Sequence, residues 1–459
     1  MRALIQQHLI RTLPLLAALV AGCSSVLDVK PINEFADDEA ITTPGGARAA
    51  RAGMYDALQD DSYYGGDFIF FGDLSAEDVE HTGTFTSYRQ IDQNDITSDN
   101  GGIEDVWDAL YIAIGRANIV IDRVPDVALL DPGERDQILG EAHFIRALTY
   151  HNLVKLWGEP AGMGVPIVLS PPVDVPSAAQ VTRATTAEVY TQILQDLQQA
   201  ESLFTIAGDR GEPTAASLGS VQAIRARVLL YMGNYAGAEA AAEAVGAMGY
   251  ALSLDYGTLF NSDDNQRLED IFRLSFDEVD YMWFGYYYLH NDAGGRQEVG
   301  PSDSLEAAYT AGDVRGVWNV TWVDSTDVST RYGSKWLTGV GDQDFHVIRY
   351  AEVLLIQAEA EARQNKLGEA EATLTPLRVR AGLAPAGLDA MTQANAISAV
   401  INERRLELAF EGDRWPDLVR TGLAPTRVDL TGKLYQQLYP IPLNERDVTN
   451  PPLPQNPGY

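Results

Sequence analysis

Apolar residues recur at helical spacing along most of the chain. From Gly102 to Pro125, Trp107, Leu110, Tyr111, Ile114, Asn118 and Ile121 fall mostly at intervals of three and four, and Asp99 or Asn100 stands where an N-cap belongs. The spacing predicts a helix there. A second is expected from Glu134 to Trp157, stopping at Gly158-Glu159-Pro160, and a third over about Thr186 to Phe204 with Val189, Ile193, Leu197 and Ala200 on one face. Gly164 to Pro176 combines prolines with β-branched residues and reads as an extended connection. A last helical block is expected over about Asn395 to Gly422, followed by a proline-rich tail.

Two segments are versions of one unit. Ser220 to Ala247 and Arg349 to Arg380 align on Gly233-Asn234-Tyr235 and Asn365-Lys366-Leu367. Each has an apolar helix, a short polar turn, and a helix opening on alanine and glutamate. Small residues let such helices approach closely, in the manner of tetratricopeptide pairs. The interval from Asp255 to His346 breaks the pattern. It is rich in aromatics, Gly and Asp, and Ile271 to Phe276 and Trp318 to Val323 alternate like short strands. Long loops on a rigid frame are where function concentrates.

Composition narrows the class. Hydrophobic residues make up 46% and charged residues 21%, which fits a folded globule. Lys and Arg number 33 against 65 Asp and Glu, a net charge of −32. Nucleic acid and anionic headgroups would repel such a body.

The start adds an address. Arg2 and Arg11, the apolar run Leu13 to Val20, and Ala21-Gly22 before Cys23 describe a secretory signal over residues 1–22. The run is well short of the roughly 20 residues a spanning helix needs. Val20-Ala21-Gly22-Cys23 looks like a lipobox, and Cys23 is the only cysteine in the chain. The expectation is an exported protein acylated at Cys23, tethered to a membrane by lipid and free of internal disulfides.

From Leu27 onward the chain resembles the SusD/RagB-type outer-membrane nutrient-binding lipoproteins. The resemblance rests on Trp107 to Tyr111 with Ala117-Asn118, on Glu141-Ala142 and Arg146 to Tyr150 closing at Trp157-Gly158-Glu159-Pro160, and on Arg349 to Leu355. It continues through Arg378 to Leu383, Glu403 to Leu408, Glu411-Gly412-Asp413-Arg414-Trp415, Tyr439 to Pro442 and Gln455 to Tyr459. It implies an all-α fold of four tetratricopeptide-like helix pairs, with long irregular loops and a few short strands. The mature domain would be 23–459, in an N-terminal part of about 23–330 and a C-terminal part of about 331–459. It also implies a non-catalytic lid over a SusC-type TonB-dependent transporter, taking oligosaccharides and sometimes peptides. Ser24 to Leu27 stand where the family carries acidic surface-export signals, so the resemblance supports lipidation more than outer-leaflet display.

Candidate chemistry follows the same line. Of six histidines, His143 and His151 share a predicted helix without metal-ligand spacing, and there is no nucleophile elbow or phosphate-cradling glycine loop. No catalytic residue, metal or cofactor is expected. Asp95, Thr97 and Asp99 have calcium-loop spacing, but Asn100 and Val106 stand at the glycine and glutamate positions, so a polar loop and helix cap is expected. Asp263-Asp264-Asn265 reads as solvated. Arg378, Arg380, Arg405, Arg414 and Arg420 read as helix-to-helix ion pairs, Arg349 and Glu352 as neighbours on one helix, Trp415 as a packing anchor, and Asn456 to Tyr459 as closure of the tail.

Sugar rings lie on aromatic planes while their hydroxyls bond to polar side chains. Two regions offer that mixture: Tyr63, Tyr64, Phe71, Asp73 and Tyr88, and Tyr281, Trp283, Tyr286, Tyr287 and Asn291. By resemblance, both occupy places from which the family draws ligand contacts. The competing reading makes these rings core filler. Rival functions are a peptide-binding or protein-only scaffold and a carbohydrate-active enzyme.

Overall fold

A computed structural model describes residues 41–171, 180–261, 268–324, 329–336 and 341–459. The signal segment, Cys23, the start of the resemblance at Leu27, Asp263 to Asn265 and the end of the Gly164 to Pro176 connection lie outside the described residues.

The expected all-α scaffold is present. Helix α1 (Pro44–Gln59) precedes two short helices, α2 (Asp67–Leu74) and α3 (Thr86–Asp92), and then α4 (Gly101–Arg123), which packs back on α1. Three further pairs follow: α5 (Pro132–Trp157) with α6 (Thr186–Ala207), α7 (Leu218–Tyr231) with α8 (Tyr235–Gly246), and, after the short α9 (Phe284–Tyr288), α10 (Tyr350–Arg363) with α11 (Leu367–Arg380). Local chemistry sets their ends. Asn100 accepts from the Ile103 N–H at 3.1 Å, Asp131 caps α5, and Thr185 and Glu188 form a capping box for α6. The loop after Asp95 therefore ends in a cap supplied by Asn100. The two aligned hairpins turn alike, through left-handed Gly233 (φ 72°) and Asn365 (φ 61°).

The last helical block is broken in two. Helices α12 (Gln393–Glu407) and α13 (Arg414–Arg420) are separated where Phe410 and Gly412 both take positive φ. A Cβ on Gly412 would lie 3.0 Å from the Ile69 Cα, so the bend is where this turn meets α2.

Eight short strands form four antiparallel pairs among the described residues: β1 (Val79–His81) with β5 (Val299–Pro301), β2 (Met163–Pro166) with β3 (Arg183–Thr185), β4 (Asp270–Leu274) with β8 (Phe345–Arg349), and β6 (Thr321–Asp324) with β7 (Ser329–Tyr332). The strand expected over Ile271 to Phe276 is β4, shifted by one residue at its start. The one expected over Trp318 to Val323 begins later, because Trp318 and Asn319 close a short helix capped by Asp313.

Ion pairs tie the C-terminal half together. Arg349 is the last residue of β8 and not a helical neighbour of Glu352, whose partner is Arg227 of α7 (Nε–Oε1 2.8 Å). The Arg349 guanidinium reaches Glu269 (2.9 Å), Glu407 (2.7 Å) and Glu411 (2.7 Å) with no solvent exposure. The other arginines form ion pairs, Arg378 with Glu403 and Arg420 with Glu359 from helix to helix as expected. Arg405 and Arg414 instead reach Asp78 and Glu77 in the turn before β1, and Arg380 reaches both Glu407 of α12 and Glu269 in the turn before β4. Trp415 is buried, and Asn456 donates to the carbonyls of Trp157 and Tyr439 at 3.0 and 2.7 Å, closing the tail on the body. Among the described residues no helix is long and apolar enough to cross a membrane.

Candidate functional site

The two aromatic regions meet, one beneath the other. After α1 the chain turns at Gly65, where a Cβ would lie 2.6 Å from the Gln59 carbonyl oxygen, and enters α2. That turn drives Tyr63 and Tyr64 inward. Their rings stack at 4.5 Å, and both hydroxyls accept from the Asn152 amide of α5 at 2.8 Å. Phe71 stands edge-on to Tyr88 at 5.3 Å. Asp73 accepts from the Tyr288 hydroxyl (3.1 Å) and the Gly412 N–H (3.2 Å), and burial pushes its carboxyl well above the usual range. All five candidates of the first region are buried, so in this structure they offer a ligand no surface. Their satisfied hydroxyls and close ring contacts are those of a core.

The second region lies above this floor. The Trp283 N–H bonds to the Gly65 carbonyl (2.9 Å) and the Met282 N–H to Gly341 (3.0 Å), which pin the segment to the frame. Trp283 lies nearly parallel to Tyr287 (5.5 Å, 19°), with the rings of Tyr281 at 4.7 Å and Tyr286 at 5.7 Å. All four rings are partly exposed, while Phe284 and Tyr288 of the same helix point into the core. Asn291 is exposed at the turn that follows α9. The structure thus groups Tyr281, Trp283, Tyr286 and Tyr287 into one ridge. Phe85, absent from the sequence candidates, extends it: its ring meets Tyr287 at 5.9 Å, and the Arg296 guanidinium lies 4.4 Å above it. An aromatic alone among Gly83, Thr84 and Thr86 was the available signal.

A cleft of about 360 Å³ opens beside the ridge, walled by Tyr281 and Trp283 on one side and by the end of α1 and the middle of α4 on the other. Asp56, Gln59, Asp60, Asp61, Asp280 and Arg116 supply its polar groups. None of these was singled out from the sequence, and their convergence needs the fold. Arg116 is committed to the Gly53 carbonyl (2.6 Å) and to the Asp56 carboxylate. Negative charge is therefore in excess. Burial, with Asp61 adding to it, raises Asp60 above its ordinary value, and burial raises Asp67 to about 7 despite the hydrogen bond from Tyr88. An apolar wall with acceptors and amides opposite is suited to hydroxyl-rich ligands. Among the described residues no group of three His, Cys, Asp or Glu side chains converges as a metal site.

Comparison with known proteins agrees with this architecture. One family model, described as "Starch-binding associating with outer membrane", matches residues 27–230, and a second, described as "SusD family", matches residues 277–429. The chain belongs to the SusD family. SusD-like protein P38 of Formosa agariphila is 26% identical over 95% of this chain and 96% of its own length, and SusD-like protein P2 of the same organism is 26% identical over 99% and 100%. Among solved structures, a SusD superfamily protein from Bacteroides vulgatus superposes with a TM-score of 0.79 at 20% identity, covering 91% of this chain and 99% of its own. A laminarin-binding SusD-like protein superposes with a TM-score of 0.76 at 24% identity, covering 91% and 100%. These two share the fold of this SusD-family chain.

Proposed function

We propose that this SusD-family chain captures oligosaccharides and polysaccharides at the outer membrane and hands them to a SusC-like TonB-dependent barrel, without catalysing any reaction. The observation that carries the reading is the ridge of Tyr281, Trp283, Tyr286 and Tyr287, partly exposed and held in fixed orientation beside a polar cleft. Exposed aromatic faces are costly in water, and a sugar's C–H face covers them. A capture role asks only for binding, and an aromatic ridge beside a polar cleft supports that reading. The family model described as associating with the outer membrane supports the location, and the lipobox at Cys23 supports a lipid tether. Display on the outer leaflet and docking on a barrel complete the proposal.

Calorimetry against a panel of neutral polysaccharides, starch and laminarin first, with peptides as the competing class, tests the ligand assignment. Trp283→Ala is expected to weaken glycan binding about tenfold or more with the melting temperature held. Binding of peptides and of no glycan would defeat the assignment. Gentle detergent extraction should recover the chain with a larger β-barrel protein, and Cys23→Ser should release it from the membrane fraction. A native chain that extracts alone, or a variant that stays membrane-bound, would count against the partner and the anchor respectively.

A further inference from the structure

Trp322 is the most exposed aromatic side chain among the described residues, at 48%. It is also held in place. Its indole N–H donates to Glu306 Oε1 at 2.8 Å, and the guanidinium of Arg331, its cross-strand partner in the β6–β7 hairpin, lies 5.4 Å from the ring centre. Arg331 is in turn fixed by Asp303 (2.6 Å), Glu306 (3.2 Å) and Glu80 (3.4 Å). About half of this large ring stays in water although its orientation is fixed, so the exposed half costs side-chain freedom without the return that burial would bring. A fixed, half-exposed ring is a surface on which a ligand can lie. Its rim of carboxylates offers hydroxyl acceptors, so the ligand class is again saccharide.

The hairpin is joined to the ridge by two consecutive residues. Gln297 donates from its side-chain amide to the Arg331 carbonyl (2.5 Å), and Arg296 lies over Phe85, which touches Tyr287. Phe85 and Trp322 are thus linked through the consecutive residues Arg296 and Gln297, with no direct ring contact between them. We infer that Trp322, braced by Arg331, is a second sugar platform that continues the ridge, so that the preferred ligand is a glycan chain long enough to lie on both. This rests on the glycan-binding reading of the ridge and adds a chain-length requirement that the ridge alone does not carry.

The experiment compares wild type, Trp322→Ala, Trp322→Tyr and Trp283→Ala by calorimetry, using soluble starch, laminarin and the other neutral polysaccharides of the panel, each beside its own trisaccharide. Thermal melts establish that the hairpin substitutions leave the body folded. Wild type is expected to bind the polysaccharide more tightly than the trisaccharide. Trp322→Ala is expected to lose about tenfold on the polysaccharide, with the trisaccharide affinity held. Trp322→Tyr, which keeps a ring, should recover most of the loss. If Trp283→Ala loses the polysaccharide while Trp322→Ala binds it as wild type does, the second platform is wrong and the ridge stands. Equal losses on polysaccharide and trisaccharide would place Trp322 in the first site and overturn the extension. Wild type binding no glycan at all would overturn both.

Discussion

The Tyr88 hydroxyl donates to the Asp67 carboxylate directly under the aromatic ridge. Burial, reinforced by Asp61, Asp105 and Asp60, lifts Asp67 from 3.8 to about 7, against the pull of that hydrogen bond. Between these two values the folded chain holds a proton that the unfolded chain has released. The stability that proton confers is full below about 3.8 and lost as the pH rises through about 7. Asp67→Asn keeps an acceptor for Tyr88 and removes the ionisation. Relative to wild type, it should therefore gain about 2–4 kcal/mol between pH 4.5 and pH 8.5. Urea unfolding at both pH values measures the change, and a difference independent of pH would disprove the assignment.

What the sequence discloses here divides by range. Helices α4, α5 and α6 were legible because apolar spacing and the residues that cap them lie within a few positions of one another. Trp283 was legible as an aromatic in the irregular interval. Tyr63 and Tyr64 looked equally suitable, but the Asn152 amide that donates to both hydroxyls lies 88 or more residues away. Local pattern does not report that pairing, and it decides between floor and surface. The carboxylates of Asp56, Asp60 and Asp61 carry no local mark of a site, because the walls that face them, α4 and the 279–283 segment, lie far along the chain. Trp322 alternated like a strand residue, and exposure alone distinguishes it.

The cleft's excess of negative charge leads to a selectivity. Asp61 and Asp280 are exposed, and Arg116 is already taken by Asp56. Neutral polysaccharides should bind at least tenfold more tightly than uronate-bearing or sulfated ones at low salt, and the gap should narrow as salt screens it. Asp61→Asn with Asp280→Asn should narrow it as well. Calorimetry at about 20 mM and 500 mM salt reads both effects. Equal affinity for anionic and neutral chains at low salt would mean that the cleft does not face the ligand.

Glu407 behaves oppositely to Asp67. Burial favours its neutral form, but Arg380, Arg349 and Arg315 outweigh this and hold its carboxyl well below the usual range. A carboxylate lowered in this way gives stability above its unfolded value near 4.5, and that stability is lost as the pH falls toward the folded value. Glu407→Gln leaves Arg349 and Arg380 short of a buried counter-charge, and should cost about 3–5 kcal/mol at pH 7. Denaturant titrations should show the cost shrinking toward pH 3. A cost that persists undiminished in acid would point to lost packing instead.

Asn456 provides the last test, because it separates closure of the tail from ligand binding. Its amide donates to the carbonyls of Trp157 and Tyr439, and its oxygen accepts from Arg183 at 2.8 Å. Trp157 packs edge-on to Trp107 at 5.3 Å and to Tyr439 at 5.6 Å, so one side chain holds α5, α4 and the tail in register. Asn456→Ala strands the buried Tyr439 carbonyl, at about 1–3 kcal/mol, while the Trp157 carbonyl keeps its hydrogen bond from Arg183 (3.3 Å) and that guanidinium nitrogen keeps the carbonyls of Trp157 and Met163. Some relaxation of the tail will offset part of this. A net loss of about 1–3 kcal/mol is expected in urea unfolding at pH 7. Asn456 takes no part in the ridge, so below the new melting point the glycan affinity should match wild type. A folded Asn456→Ala protein with wild-type stability and weakened glycan binding would contradict the closure role and move the ligand contacts toward the tail.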